Sequence, residues 1–327
     1  MDLSTNEKIV QGGTDMQNYE NKIAVITGGT SGLGYAFADL LGQAGAKVVI
    51  TGRRMENGEK AEAELKGKGI EALYVQQDVT EEESWDKLLK IVLGTYGRID
   101  YGFINAGVMA RPKPSMQLTM NDWNWVLDTN IRGTLLGLRK FTGAMMMQES
   151  GGTIVTTAST ASIAPFSMWG PYSVSKAAVL RLVESFKGEM TLGKITKIQY
   201  CVSLPGVFES DVINGTCYRS EKYKNPGEAD MPVAASKAHT PDGDKLGYIT
   251  AAEAAQSIID QMEAGKFYIY THEDLSLSLL PEQFKSLQNE QGLTDQAVFD
   301  FAFYAKKLAA QGVDVKASNL QSMTQNN

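Results

Sequence analysis

Two residues spaced four apart, Tyr172 and Lys176 in the run Gly170-Pro171-Tyr172-Ser173-Val174-Ser175-Lys176, offer the clearest chemistry in this sequence. Pro171 suits the first turn of a helix, and on a helix residues four apart share a face. A tyrosine hydroxyl, with an ordinary pKa of about 10, is a poor acid or base at neutral pH, but a neighbouring ammonium favours the phenolate and lowers that pKa. Such a pair can move a proton. The same spacing also describes an amphipathic contact with a solvated lysine, so the pair needs support from elsewhere in the chain. Other reactive types are scarce: two histidines, His239 and His272, and two cysteines, Cys201 and Cys217, each pair without a ligand-like pattern. Neither a disulfide framework nor a metal is expected. The chemistry falls to hydroxyls, amines, carboxylates or a bound cofactor.

A second cluster lies near the start of the chain. Thr27-Gly28-Gly29-Thr30-Ser31-Gly32-Leu33-Gly34 follows the apolar run Lys22–Thr27 and precedes a helical pattern over Tyr35–Ala44. Glycines at 28, 32 and 34 permit a tight strand-to-helix turn and close approach of a phosphate to backbone amides, which a helix N-terminus favours further. Alone such a loop is a weak signal; between a first strand and a first helix it points to a dinucleotide. The second strand ends Ile50-Thr51-Gly52-Arg53-Arg54. An acidic residue there would bind the ribose hydroxyls of NAD; two guanidiniums instead suit a 2′-phosphate. NADP(H) is therefore preferred, with NAD(H) as the alternative, although Arg53 and Arg54 also fit a solvated surface pair.

The elements that must position these groups alternate. Strand-like segments at 22–27, 47–51, 72–76, 100–104, 152–157, 197–204 and 267–270 are separated by helical patterns at 35–44, 57–67, 80–96, 122–147, 172–192 and 251–265. Strands alternating with crossover helices specify a parallel sheet with helices on both faces: an α/β, doubly wound, seven-stranded Rossmann fold in one domain. Residues 1–19 read as a polar N-terminal extension, 20–270 as the domain, and 207–249 within it as a substrate loop or lid. Beyond 271 a C-terminal extension carries a helix that Thr294 can cap, with Val298, Phe301, Ala302, Ala305 and Leu308 as its apolar stripe and Gly312 at its end.

Together these motifs resemble the short-chain dehydrogenase/reductase family. Besides the Thr27–Gly34 loop and Tyr172-x-x-x-Lys176, the chain has Asp78-Val79 after the third strand and Asn105-Ala106-Gly107 after the fourth, then Asn130, Ser159 and Pro205-Gly206, in order over residues 20–270. The resemblance implies an oxidoreductase that interconverts a ketone and a secondary alcohol. Tyr172 would be the general acid/base and Ser159 would stabilise the substrate oxygen. Lys176 would bind the nicotinamide ribose and tune Tyr172, and Asn130 would hold a water of the proton path. Gly28, Thr30, Ser31, Gly32, Leu33, Gly34, Arg53, Arg54, Asp78, Val79, Asn105, Ala106 and Gly107 would contact the cofactor. So would Pro205, Gly206, Val207, Phe208 and Ser210 on the nicotinamide side. Ser162 competes with Ser159 on chemistry alone; spacing to Tyr172 favours Ser159.

By position, Val108, Met109, Ala110, Ala161, Phe166, Met168, Trp169 and Phe208 should face the substrate, a lining suited to a bulky apolar ketone or alcohol such as a steroid, terpenoid or aryl ketone. The partner is thus a small molecule. A net charge of −7 argues against nucleic acid, and no apolar run reaches the length of about 18 residues that suggests a membrane span. A cytoplasmic homodimer or homotetramer is expected. A non-catalytic NADP(H)-binding regulator would have lost one of Ser159, Tyr172 and Lys176; a nucleotide-sugar epimerase would show a different glycine spacing.

Overall fold

A computed structural model describes residues 19–208, 210, 212, 219–227, 249–273, 276, 277, 279–281 and 283. Seven parallel strands form one sheet in the order β3-β2-β1-β4-β5-β6-β7: β1 (Ile23–Ile26), β2 (Lys47–Gly52), β3 (Ala72–Gln76), β4 (Tyr101–Ile104), β5 (Gly152–Thr157), β6 (Ile198–Leu204) and β7 (Tyr268–Tyr270). The helices are α1 (Gly32–Gln43), α2 (Met55–Gly67), α3 (Glu82–Tyr96), α4 (Met120–Leu127), α5 (Gly133–Met147), α6 (Gly170–Leu192) and α7 (Ala251–Glu263). The doubly wound sheet expected from the alternation is the one found.

Alternation along each strand divides the core in two. Ala24, Ile26, Val48 and Ile50 point to one face, where Phe37 and Leu41 of α1, Leu65 of α2 and Ile258 of α7 cover them. Ile23, Val25 and Val49 point to the other, under Trp85 and Leu88 of α3, Phe141 of α5 and Val179 of α6. Side chains such as Trp85 and Phe141, fully buried and packed edge to face at 5.5 Å, each contribute roughly 1.5–3 kcal/mol by burial. Chain order reverses between β1 and β4, so a crevice opens at their C-terminal ends.

The sequence reads 122–147 as one helix; the chain forms it in two parts. Thr119 caps α4, its hydroxyl accepting from the Asp122 backbone while the Asp122 carboxylate accepts from the Thr119 backbone. A π-helical turn, Asp128–Arg132, then joins α4 to α5. The N-terminal boundary also moves. Tyr19 is buried, stacks edge-on against Tyr101 at 5.4 Å and donates to Glu263, so it belongs to the domain and not to the extension. The rest of that extension and the helix expected from Thr294 lie outside the described residues. The long excursion after β6 is closed at its base by a parallel bridge between Phe208 and Ile249.

Candidate active site

The glycine loop turns at the mouth of the crevice. Gly28 has φ +64°, and a Cβ there would lie 3.0 Å from the Ala106 Cα, so β1 and the strand end of β4 touch only because this side chain is absent. At Gly34 a Cβ would sit 2.2 Å from the Gly28 carbonyl oxygen. A Cβ on Gly32, by contrast, would meet nothing within 4 Å, which marks open space above the loop. Ser31 caps α1 without a side-chain cap bond, and no acidic residue occupies the first turn, whereas α2, α3, α4 and α7 each carry at least one. The N-terminus of α1 is therefore suited to an anion.

Asn105 braces the crevice floor. Its backbone N–H donates to Thr27 Oγ1 (2.9 Å), its amide donates to the Thr27 carbonyl (3.1 Å), and its Oδ1 accepts from Thr157 (3.2 Å), stitching β1, β4 and β5 together. Ala106 donates to the same threonine hydroxyl. At the end of β2 a Cβ on Gly52 would lie 2.8 Å from Thr30 Cγ2. Arg53, half-buried, and Arg54, exposed at the start of α2, thus follow a strand end that abuts the glycine loop. Asp78 folds into a local turn, accepting from the Thr80 backbone (3.0 Å) and hydroxyl (2.8 Å). Val79 packs against the position of Gly133.

Deeper in, Tyr172 and Lys176 lie on the first turns of α6, with Pro171 in the first turn as the sequence predicts. Lys176 Nζ donates to the Thr157 carbonyl (2.8 Å) and stands 5.7 Å from the centre of the Tyr172 ring. A Cβ on Gly107 would be 3.4 Å from both Lys176 Nζ and Asn130 Oδ1, so Gly107 leaves room beside both groups. The Asn130 amide grips Val108 from both sides, accepting from its N–H (2.8 Å) and donating to its carbonyl (2.9 Å); it also donates to Ser175 Oγ (2.9 Å). Ser175 in turn donates to the Tyr172 carbonyl (2.7 Å).

The two candidate serines separate by what they touch. Ser162 Oγ donates to the Lys176 carbonyl (2.7 Å) and so fastens its turn to α6. Ser159 Oγ accepts from the Ala161 N–H (3.1 Å) and lies near enough to the Tyr172 hydroxyl to oppose a rise in its pKa. Burial raises the Tyr172 pKa above its ordinary value, and the neighbouring Ser159 hydroxyl only partly opposes this. Lys176, also buried, has its own pKa pushed down to about 8 by the same desolvation. The sequence predicts an ammonium that lowers the tyrosine pKa; in the protein, burial raises it, with only Ser159 opposing the rise.

Met109, Ala161 and Tyr172 form one apolar cluster with Phe166 and Trp169. Phe166 is fixed by its N–H donating to Ser173 Oγ (2.9 Å). Phe208 departs from the expectation: through its bridge to Ile249 it packs with the α1 and α7 side of the core, away from that cluster. Val212 joins Tyr172 instead. Val108 and Ala110 turn toward Trp125 of α4, and Met168, at φ +71°, is exposed. Pro205 accepts from the Thr160 N–H (3.0 Å), Gly206 donates to Thr271 Oγ1 (3.1 Å), and Ser210 Oγ accepts from the Val212 N–H (3.1 Å). Val207 follows directly on that pinned turn.

Several contacts were invisible in the sequence. Besides Val212, Leu279 of the segment after β7 is buried on Ala164 beside Ile163 and Phe166. Arg219 and Tyr223, from the middle of the excursion, are buried against α4. Among the described residues no group of three or more His, Cys, Asp or Glu forms a metal site, and no helix is long and apolar enough to cross a membrane.

A doubly wound sheet with a glycine loop at its switch crevice and a buried Tyr/Lys/Ser group beyond it defines a nucleotide-dependent oxidoreductase architecture. The family model for short chain dehydrogenase matches residues 22–216. A C alpha-dehydrogenase of Sphingobium sp. is 30% identical over 226 residues, which cover 69% of this chain and 73% of that protein. A short-chain dehydrogenase/reductase of Burkholderia phymatum, solved in complex with NAD, superposes with a TM-score of 0.77 at 26% identity over 86% of this chain and 99% of its own. An alcohol dehydrogenase of Thermococcus sibiricus complexed with 5-hydroxy-NADP shares the fold, with a TM-score of 0.59 at 24% identity over 74% of this chain and 90% of that one. The chain belongs to the short-chain dehydrogenase/reductase family, and is an NAD(P)-dependent oxidoreductase acting on CH–OH groups.

Proposed function

We propose that the protein is an NADP(H)-dependent carbonyl reductase or secondary alcohol dehydrogenase that takes a bulky apolar substrate. The observation that carries this reading is the placement of the Tyr172 hydroxyl against Ser159 within a wall of Met109, Ala161, Phe166, Trp169 and Val212. A carbonyl oxygen bound there would meet two hydroxyls, and an apolar flank would meet the wall.

The residues present fit a dinucleotide: the open space above Gly32 and the uncapped amides of α1 suit a pyrophosphate. Gly28, Thr30, Ser31, Gly32, Leu33 and Gly34 would hold it, Arg53 and Arg54 the 2′-phosphate, Asp78 and Val79 the adenine, and Asn105 and Gly107, with Ala106 between them, the adenosine ribose side. Lys176 would hold the nicotinamide ribose, and Pro205, Gly206, Val207 and Ser210 would bound the nicotinamide. The bound cofactor supplies or accepts the hydride. Tyr172 gives a proton to the substrate oxygen in reduction and removes it in oxidation, while Ser159 holds that oxygen and stabilises its developing charge. Lys176 favours the Tyr172 phenolate. Both Nδ2 hydrogens of Asn130 are engaged by protein groups, so a relay water would be held by Oδ1 or by a backbone carbonyl of the π turn. We place the enzyme in the cytoplasm as a homo-oligomer.

Activity of the wild type, Tyr172→Phe and Arg53→Ala on a panel of steroid, aryl and terpenoid ketones, followed by NADPH absorbance, tests this reading. Tyr172→Phe should abolish turnover and leave NADPH binding measurable by fluorescence. Arg53→Ala should lower kcat/KM for NADPH and spare that for NADH. Substantial turnover in Tyr172→Phe, or a wild-type preference for NADH, would overturn it.

A further inference from the structure

Residues 219–225 belong to the long excursion between β6 and α7, yet a buried ion pair and the polar contacts around it fix them to α4 and the π turn. Arg219 Nη1 lies 2.7 Å from Asp122 Oδ1, with only 4% and 5% of the two side chains exposed. The guanidinium stacks 4.7 Å from the centre of the Trp125 ring, and Nη1 also donates to the Tyr223 carbonyl (3.2 Å). Around this pair Thr119 Oγ1 donates to Asn225 Oδ1 (2.7 Å), and Asn121 Nδ2 donates to the Lys224 carbonyl (2.9 Å). An ion pair taken out of water adds little net stability but penalises any arrangement that separates its members. It therefore fixes where the segment sits.

What the segment holds is the Tyr223 hydroxyl, which donates to Asp128 Oδ2 (2.6 Å). Asp128 opens the π turn, and its carbonyl accepts the Gly133 N–H in the widened bond that defines that turn. Asn130, two residues on, grips Val108 and reaches Ser175, and Ser175 bonds the Tyr172 carbonyl. On the other side Lys222 Nζ donates to Glu81 (2.8 Å) and approaches Thr80 Oγ1 (3.4 Å), whose hydroxyl donates to Asp78. One short segment thus bears on both ends of the crevice. π turns are rare and concentrate where function needs a helix to depart from regular register.

We infer that residues 219–225 act as a positioning clamp for the reaction: Tyr223, seated by Arg219, holds Asp128 and with it the π turn that presents Asn130 to Val108 and Ser175. The inference rests on the proposed role of Asn130 and Tyr172 in proton transfer. Neither Arg219 nor Tyr223 touches the reacting atoms; both act through Asn130.

Tyr223→Phe removes one oxygen and keeps the ring packed among Ala110, Leu118, Trp125 and Val126. It should lower kcat about tenfold while KM and the Kd for NADPH stay within about twofold, a split that a general loosening of the fold would not give. Asp128→Asn keeps an acceptor for the tyrosine and should retain kcat within about twofold of wild type. In an Asn130→Ala background, Tyr223→Phe should have no further effect, because the clamp acts through the missing side chain. Wild-type kcat in Tyr223→Phe, an equal loss in Asp128→Asn, or losses that multiply in the double variant would each overturn the clamp. Wild-type turnover in Asn130→Ala alone would overturn the proposed role of Asn130 instead, whatever Tyr223→Phe does.

Discussion

Ser159 and Ser162 provide a matched pair for separating chemistry from stability. Each makes one hydrogen bond with a backbone group: Ser159 accepts from Ala161, and Ser162 donates to the Lys176 carbonyl. Loss of one such bond lowers stability by about 1 kcal/mol, which corresponds to a Tm lower by roughly 1.5–2 °C for a chain of this size. Ser159→Ala and Ser162→Ala should therefore melt alike. Their activities should not resemble each other. Removal of a hydroxyl that stabilises charge developing on the substrate oxygen typically lowers kcat by about 10²–10³, or roughly 2.7–4 kcal/mol in activation free energy, so Ser159→Ala should fall in that range. Ser162→Ala should keep kcat within about twofold of wild type, since its hydroxyl is directed to α6. Ser159 also opposes the burial that raises the Tyr172 pKa. Its loss should move the limb that reports tyrosine deprotonation in alcohol oxidation to higher pH. Melting curves and NADPH absorbance on one preparation suffice for the comparison. Comparable kcat losses in the two variants would refute the assignment of Ser159 over Ser162.

Lys176 and Leu279 give two further tests. The lysine titrates near 10.5 in its ordinary state and at about 8 when folded, so between those values the unfolded chain binds more protons than the native one. Stability contributed by this residue must then rise as pH increases from about 8 toward 10.5. The Tm of the wild type minus that of Lys176→Met should grow over that window, and a flat difference would show that the amine is not desolvated. Leu279, 8% exposed and packed on Ala164 beside Phe166, should lose about 2 kcal/mol of stability on change to alanine and raise KM for the bulkiest ketones. Unchanged KM across the panel would show that Leu279 does not brace Phe166 of the substrate wall.

The strands were legible because each buried strand is a short apolar run between breakers: 72–76 and 152–157 are found at the predicted bounds, and the other strands within a residue or so. Tyr172, Lys176, Ser159 and Asn130 were legible as a group because the same order of motifs recurs across a family. The π turn was not. One residue added to a helix hardly disturbs an apolar stripe that continues on either side, so 122–147 reads as uninterrupted. The Asp122–Arg219 pair was hidden for a different reason: its members lie 97 positions apart, and Arg219 sits in a stretch whose glycines and prolines carry no period. The packing of Phe208 on the α1 and α7 side was hidden because it depends on the bridge to Ile249, a partner that local pattern cannot supply.

That bridge has a consequence for how the chain can diverge. Joining residues 208 and 249 holds the two ends of the intervening stretch together beside the sheet. The entropy of closing a loop grows only with the logarithm of its length, so doubling such a stretch opposes folding by only about 0.6 kcal/mol. Insertions and deletions outside the anchored residues 219–225 are thereby nearly decoupled from the stability of the seven strands. Length changes that leave 219–225 seated on α4 thus leave both the strands and the catalytic crevice on an undisturbed foundation.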